Sequence, residues 1–126
     1  MESINKKILI VEDDKNFLWI LKQSFSSAGF YVATASDGEE GLAAAEKERP
    51  DLILLDILMP KMDGIETAKK LQEAKNAALI IFLTNIKDEE HMSKAMEAVP
   101  KTEYIIKSDL GISEIVDRAK SRLGVR

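Results

Sequence analysis

The chain has 126 residues, a length that fits one hydrophobic core, and we expect residues 1–126 to form a single domain. Its composition, 45% hydrophobic and 32% charged, is that of a soluble globular protein. The absence of cysteine excludes disulfide bonds and thiolate chemistry, and the formal charge of −4 argues against direct binding to nucleic acids. The chain has no apolar run long enough to cross a membrane and no recognisable signal peptide, so a cytoplasmic protein is expected.

Two kinds of sequence pattern alternate along the chain from Lys7 onwards. Short runs of branched apolar residues, such as Leu52–Leu55, are typical of buried strands, whereas apolar residues spaced by three or four positions predict amphipathic helices. Gly29 is expected to end the first helix, and Ser36–Glu39 has the spacing of a capping box at the start of the second. In chain order, the predicted elements are strand 7–11, helix 15–28, strand 31–35, a helix that closes before Arg49, strand 52–55, a helix from about Gly64, strand 79–83, helix 87–98, strand 103–106 and helix 112–123.

The apolar residues of the first predicted helix share one face, which we expect to be buried. Trp19 lies on the opposite face and is expected to be exposed. Because tryptophan is favoured at the centres of protein interfaces, Trp19 is a candidate contact for a partner. The residues of the predicted buried face are Phe17, Ile20, Leu21, Phe25 and Ala28.

Five strands that alternate with five helices predict a parallel sheet with helices on both faces. The strands of such a sheet all point in one direction, so their carboxyl ends meet at one edge. Glu12 and Asp13 follow the first strand, and Asp56 follows the third. Thr84 and Lys107 follow the fourth and fifth strands. We therefore expect these residues to converge at the edge where open parallel sheets bind their ligands.

A site with three carboxylates needs a cation, because the carboxylates repel one another when they converge in a partly dry pocket. Oxygen ligands without histidine or cysteine suit a hard ion such as Mg²⁺. Asp56 is a candidate nucleophile, Lys107 supplies a positive charge, and Thr84 supplies a hydroxyl donor. Together these groups are the parts that phosphoryl transfer requires.

Four segments of the chain, in this order and at this spacing, resemble the receiver domains of bacterial two-component response regulators. The resemblance covers about Lys7 to Leu123, and it implies a flavodoxin-like, doubly wound α/β fold whose five-stranded parallel sheet has the order 2-1-3-4-5. The matching segments are Ile8–Asp14, Asp56–Gly64, Phe82–Thr84 and Tyr104–Lys107.

The resemblance implies a phosphorylation-switched signalling module rather than an enzyme with separate substrates. Its chemistry would be limited to assisting its own phosphorylation and a slow loss of the phosphoryl group. Asp56 would accept a phosphoryl group from a phosphohistidine on a histidine kinase or histidine phosphotransfer protein. Mg²⁺ would be bound by Glu12, Asp13, Asp56 and the backbone carbonyl of Leu58, and Lys107 would bind a phosphoryl oxygen.

The resemblance also assigns roles to residues that act after phosphorylation. Thr84 and Tyr104 would form a switch pair that changes the surface of the fourth helix, fifth strand and fifth helix. A monomer and a phosphorylation-dependent dimer both fit such a module. Leu58 and Ile86 occupy the two variable positions that flank the attacking water in dephosphorylation. Neither side chain can orient that water by hydrogen bonding, so we expect a long-lived aspartyl phosphate.

The chain departs from the family pattern after Lys107. Ser108 stands where the family usually has a proline in a cis peptide bond. Because a non-proline cis bond costs about 3–4 kcal/mol, we expect the Lys107–Ser108 bond to be trans.

Other functions fit parts of this pattern. An aspartate-nucleophile phosphatase generally has a second acid two residues after the nucleophile, where this chain has Leu58. A flavin-binding protein of the same fold would have a phosphate-binding loop after the first strand, where this chain has acids. A degenerate receiver that serves only for docking is disfavoured by the presence of Asp56 and Lys107. A stand-alone receiver and a receiver within a longer regulator both fit the sequence.

Overall fold

The computed structural model describes residues 4–100 and 102–125 of the chain. Within these residues, five strands alternate with five helices, as the sequence predicts. In chain order they are β1 (Lys7–Val11), α1 (Lys15–Ser27), β2 (Tyr31–Ala35), α2 (Gly38–Glu48), β3 (Leu52–Leu55), α3 (Gly64–Glu73), β4 (Leu79–Thr84), α4 (Glu89–Ala98), β5 (Glu103–Ile106) and α5 (Ile112–Leu123).

The strands form one parallel sheet in the order β2-β1-β3-β4-β5, which confirms the predicted doubly wound topology. β1 is the point at which the order reverses, because β2 lies on one side of it and β3 on the other. Residues Ile8–Val11 of β1 pair in register with Leu52–Leu55 of β3, so these strands end at the same level. In folds of this kind, ligands bind in the crevice beyond the carboxyl ends at the reversal point.

The core has two layers, because alternate residues of each strand face opposite sides of the sheet. Leu9 and Phe82 face the side that is covered by α2, α3 and α4. Ile8 and Leu54 face the side that is covered by α1 and α5. All four residues of β3 are buried, as expected for a central strand with helices on both faces.

Two predicted bounds shift slightly in the structure. β4 continues one residue further than predicted, to Thr84, which places this residue at the end of the strand ladder. α4 begins at Glu89 rather than Lys87, because the Asp88 carboxylate caps it by accepting a hydrogen bond from the His91 N–H at 2.9 Å.

The predicted capping box of α2 is wrong by one residue. Asp37, not Ser36, is the N-cap residue, and its Oδ1 accepts a hydrogen bond from the Glu40 N–H at 2.8 Å. Glu40, rather than Glu39, reaches back, and its carboxylate accepts a hydrogen bond from the Ser36 N–H at 3.0 Å. Ser and Asp are comparably good N-caps, so spacing alone did not distinguish the two registers.

The buried face of α1 also differs from the prediction at one position. Ile20 is 42% exposed, and Leu18 packs against the core in its place. Trp19 is 63% exposed, which confirms its predicted position on the outer face. α1 ends at Ser27, one residue earlier than predicted, and Gly29 follows with a φ of 102°, a conformation that glycine adopts without strain.

The loop after β5 follows the expected backbone conformation. All peptide bonds between described residues are trans, and these include the Lys107–Ser108 bond. Among the helices of the described part of the chain, none is both long enough and apolar enough to span a membrane.

Candidate functional site

Backbone hydrogen bonds bring the polar residues that follow the strands to one edge of the sheet. The Asp56 N–H donates to the Val11 carbonyl at 3.1 Å, so Asp56 lies beside the end of β1. The Lys107 N–H donates to the Thr84 carbonyl at 2.8 Å, so these two residues lie beside each other at the ends of β4 and β5. The predicted convergence of these strand ends is therefore present in the structure.

Three carboxylates form a cluster at this edge. Glu12, Asp13 and Asp56 each offer an oxygen, and these oxygens all lie within 4.8 Å of one another. Glu12 and Asp56 are buried, whereas Asp13 is exposed. The cluster thus combines two carboxylates held inside the protein with a third that faces solvent.

The ammonium group of Lys107 contacts both buried carboxylates. Its Nζ lies 2.6 Å from Glu12 Oε1 and 3.1 Å from Asp56 Oδ2. Burial lowers the pKa of Lys107, but the hydrogen bond with Glu12 and the charge of Asp56 outweigh burial, so the pKa lies above its usual value. Burial, and to a smaller extent the charge of Asp56, raises the pKa of Glu12 to about 7, although Lys107 opposes this shift.

The charges of this cluster fit a divalent cation. A single ammonium leaves two negative charges uncompensated when all three carboxylates are ionised. Burial of Glu12 beside Asp56 adds to the cost of keeping these carboxylates charged, since both effects raise the pKa of Glu12. The available donors are carboxylate oxygens, which suit a hard ion such as Mg²⁺. Leu58 follows Asp56 by two residues with a side chain that is 62% exposed, and the role of its backbone carbonyl stays a prediction.

The orientation of the Asp56 carboxylate is fixed by its neighbours. Oδ1 accepts a hydrogen bond from the Ile57 N–H at 2.7 Å, while Oδ2 faces Lys107. The first residue of α3, Gly64, packs directly on the backbone here, and its N–H donates to the Ile57 carbonyl at 2.8 Å. A Cβ atom on Gly64 would lie 2.0 Å from the carbonyl oxygen of Asp56, so this position has no room for a side chain.

Thr84 and Tyr104 are connected through the same residue, Ile86. The buried Thr84 hydroxyl accepts a hydrogen bond from the Ile86 N–H at 3.4 Å, and the Tyr104 hydroxyl donates to the Ile86 carbonyl at 2.9 Å. The Tyr104 ring packs beside Phe82, with ring centroids 6.3 Å apart. Burial, followed by the charges of Asp88 and Asp56, raises the pKa of Tyr104 to about 12, so the phenol stays protonated at neutral pH. Both residues of the predicted switch pair are therefore hydrogen-bonded to the backbone of one loop residue, Ile86.

One contact at the site was not predicted from the sequence. The Lys107 Nζ lies 4.8 Å from the centroid of the Phe17 ring, within the range of a cation–π interaction. The helical spacing of Phe17 indicates only a residue of the buried face. Nothing in the local sequence shows that its ring reaches a lysine that lies 90 positions later.

A sequence model of the response regulator receiver domain matches residues 8–120 of this chain. The chain belongs to this family. Receiver domains of response regulators are phosphorylation-switched modules that generally signal rather than act as enzymes, and they interact with histidine kinases or phosphotransfer proteins.

This receiver domain is similar to two curated proteins of Bacillus subtilis (strain 168). It is 49% identical over 87 residues to the alkaline phosphatase synthesis transcriptional regulatory protein PhoP, a match that covers 69% of this chain and 36% of that protein. It is 32% identical over 123 residues to sporulation initiation phosphotransferase F, a match that covers 98% of each. The receiver domain thus spans about a third of the length of PhoP and nearly all of phosphotransferase F.

Solved structures show the same receiver fold. The CheY-like receiver domain protein of Methanospirillum hungatei JF-1 has a TM-score of 0.87 and 31% identity, with 94% of each chain covered. A chain of the CheX-CheY-BeF3-Mg²⁺ complex of Borrelia burgdorferi has a TM-score of 0.83 and 30% identity, with 94% of this chain and 89% of that chain covered. These likenesses confirm the predicted family and fold of the receiver domain.

Proposed function

We propose that this receiver domain accepts a phosphoryl group on Asp56 from a phosphohistidine on a histidine kinase or histidine phosphotransfer protein. The observation that carries the proposal is the contact of a buried, oriented carboxylate with an ammonium group inside a cluster of three acids. Asp56 lies 3.1 Å from Lys107, and its oxygens are within 4.8 Å of those of Glu12 and Asp13. This geometry favours phosphoryl transfer, since a nucleophile, a cation site and a positive charge are adjacent.

In the proposed reaction, an oxygen of Asp56 forms a bond to phosphorus as the bond between phosphorus and the donor imidazole breaks. The imidazole leaves with the electron pair of that bond and takes up a proton. Lys107, which already contacts Asp56, binds a phosphoryl oxygen, and the Thr84 hydroxyl donates to another. Glu12, Asp13, Asp56 and the Leu58 carbonyl would hold the cation. Bound Mg²⁺ supplies positive charge against the charge that develops on the transferred group.

The contacts of Ile86 support a switch that follows phosphorylation. When the Thr84 hydroxyl turns to the phosphoryl group, the Ile86 N–H loses its acceptor. Tyr104 is hydrogen-bonded to the carbonyl of the same residue, so a movement of this loop carries over to the Tyr104 ring. The proposed result is an altered surface of α4, β5 and α5, where a target or a second copy binds.

Asp13 gives the first test of the proposed metal site. Replacement of Asp13 by Asn is expected to weaken Mg²⁺ binding by at least about tenfold, because a charged ligand is lost at the exposed side of the cluster. Isothermal titration calorimetry with MgCl₂ measures this. The control is Asp14→Ser, since Asp14 caps α1 and serine preserves a cap. Equal Mg²⁺ affinities for the two variants would contradict the assignment.

The apolar residues near the site lead to a prediction about the lifetime of the phosphoryl group. Leu58 is exposed and Ile86 packs partly against the core, so neither side chain positions a water molecule. A Leu58→Asn, Ile86→Glu double variant is expected to lose its phosphoryl group on the order of tenfold faster, because both new side chains can orient water. The decay of radiolabelled protein measures this. A Leu58→Val, Ile86→Val variant is the control, and a polar variant that decays no faster than the natural protein would refute the prediction.

Trp19 is proposed as a contact for the phosphoryl donor. It is 63% exposed on α1, and its exposed neighbour Ile20 extends the apolar surface. Replacement of Trp19 by Ala is expected to slow transfer from a phosphorylated histidine phosphotransfer protein by about tenfold, the usual loss for one well-packed interface tryptophan. Transfer from acetyl phosphate should be unchanged, since so small a donor does not touch α1. Equal slowing with both donors would argue against the contact.

A degenerate docking module and an aspartate-nucleophile phosphatase are the rival functions. Acetyl phosphate and p-nitrophenyl phosphate distinguish them, because a docking module takes up no phosphoryl group and a phosphatase turns over both compounds. We also propose that this domain, residues 1–126, is cytoplasmic and makes no direct contacts with nucleic acid or membrane. Sedimentation with and without phosphorylation distinguishes a constant monomer from a phosphorylation-dependent dimer. An electrophoretic mobility shift assay would reveal binding to nucleic acid, and a vesicle flotation assay would reveal binding to a membrane.

A further inference from the structure

Phe17 is connected to Lys107, the proposed phosphoryl-binding lysine, both through its ring and through a chain of hydrogen bonds. Its backbone N–H donates to Asp14 Oδ1 at 3.2 Å, and the Asp14 N–H donates to Glu12 Oε2 at 3.1 Å. Glu12 Oε1 contacts the Lys107 ammonium at 2.6 Å, and this ammonium lies 4.8 Å from the centroid of the Phe17 ring. The first turn of α1 is therefore tied to Glu12, and it carries the ring to Lys107.

The Phe17 ring attracts the Lys107 ammonium without adding negative charge to the site, which a further carboxylate could not do. Lys107 has three N–H donors and directs contacts to Glu12 and Asp56, while its ammonium also lies over the ring of Phe17. A further carboxylate at this place would add negative charge and repel an incoming phosphoryl group. An aromatic face attracts the ammonium through its quadrupole and adds no net charge.

We propose that Phe17 is a positioning residue whose ring holds the Lys107 ammonium beside Asp56, ready to meet a phosphoryl oxygen. The inference rests on the proposed phosphorylation of Asp56. A lysine side chain has four carbons between its backbone and its charge, so it loses considerable freedom when it is held in one place. Because the ring already holds the ammonium in position, the lysine side chain loses less conformational freedom when the phosphoryl group is transferred.

The alternative is that Phe17 only fills space, since it also packs against the core between the sheet and α1. A Phe17→Leu variant keeps an apolar side chain but removes the aromatic face, and a Phe17→Tyr variant restores the face. Phe30→Leu is the matched control, because Phe30 belongs to the same side of the core, where its ring packs against Phe25. Urea unfolding of all variants reports the loss of packing separately.

The first readout is the rate of phosphoryl uptake from acetyl phosphate at saturating Mg²⁺. We expect Phe17→Leu to be on the order of five- to tenfold slower than the natural protein, from the loss of a partly desolvated cation–π contact. Phe17→Tyr should be close to the natural rate, and so should Phe30→Leu. A natural rate in Phe17→Leu would overturn the proposal, and so would equal slowing in Phe17→Leu and Phe30→Leu.

The second readout does not depend on phosphorylation. In proton NMR spectra of the free protein, the Lys107 ε-methylene resonances should be shifted upfield by the ring current in the natural protein and in Phe17→Tyr. In Phe17→Leu they should return to the ordinary lysine position, and unchanged resonances would overturn the proposal. If the natural protein takes up no phosphoryl group, the proposed function of Asp56 fails. The NMR comparison then still decides whether Phe17 positions Lys107.

Discussion

An Asp56→Asn variant of this receiver domain is expected to take up no phosphoryl group from acetyl phosphate or from a phosphorylated histidine phosphotransfer protein. The amide is not a nucleophile under these conditions, and it removes one of the three negative charges that attract the cation. The variant should remain folded, because Asn has the shape of Asp and its carbonyl oxygen can still face Lys107. Uptake is measured with radiolabelled acetyl phosphate, and folding by circular dichroism.

The matched control for this substitution is Asp117→Asn. Asp117 is an exposed residue of α5, so its replacement makes the same chemical change away from the carboxyl edge of the sheet. This control should be phosphorylated at the natural rate. Undiminished uptake by Asp56→Asn would show that another residue is the acceptor.

A Gly64→Ala variant is expected to be destabilised by about 3 kcal/mol, the upper part of the usual range for overpacking. Helix propensity by itself would favour alanine in α3. The new Cβ, however, would lie 2.0 Å from the carbonyl oxygen of Asp56 and 2.9 Å from the Cα of Ile57. The backbone must move to relieve these contacts, so phosphoryl uptake by Asp56 should also slow. Urea unfolding gives the free energy of unfolding.

Gly111→Ala is the matched control, because it is also a change from glycine to alanine at the start of a helix. Gly111 is the N-cap residue of α5, and a Cβ there would meet Glu114 Oε1 at 3.4 Å, an ordinary van der Waals distance. Its loss of stability should be about 1 kcal/mol or less. If the two variants unfold with the same free energy, the close approach of α3 to Asp56 does not restrict this position.

The carboxyl edge of the sheet could be predicted from the sequence because it follows from topology. Asp56 and Lys107 are 51 positions apart, yet each directly follows a strand, and parallel strands end at one edge. Short continuous apolar runs reveal the strands, and apolar residues spaced by three or four positions reveal the helices, without any knowledge of contacts. The placement of Asp56 and Lys107 at one edge of the sheet follows from these regularities.

Details that depend on packing could not be obtained in this way. The exposure of Ile20 and the partial burial of Leu18 follow from how α1 packs on the sheet, and a helical wheel leaves both near the boundary of the buried face. The contact of Phe17 with Lys107 depends on the side-chain path of a lysine. The one-residue shift of the α2 cap to Asp37 depends on a choice between equally good capping residues.

The most direct test of the phosphorylation of Asp56 is to locate the phosphoryl group. The natural protein is incubated with acetyl phosphate and Mg²⁺, treated with borohydride to convert an aspartyl phosphate to homoserine, digested, and mapped by tandem mass spectrometry. We predict homoserine at position 56 alone, formed only when Mg²⁺ is present. An unmodified Asp56 under these conditions, or a phosphoryl group that instead appears on His91 or another carboxylate, would contradict the account.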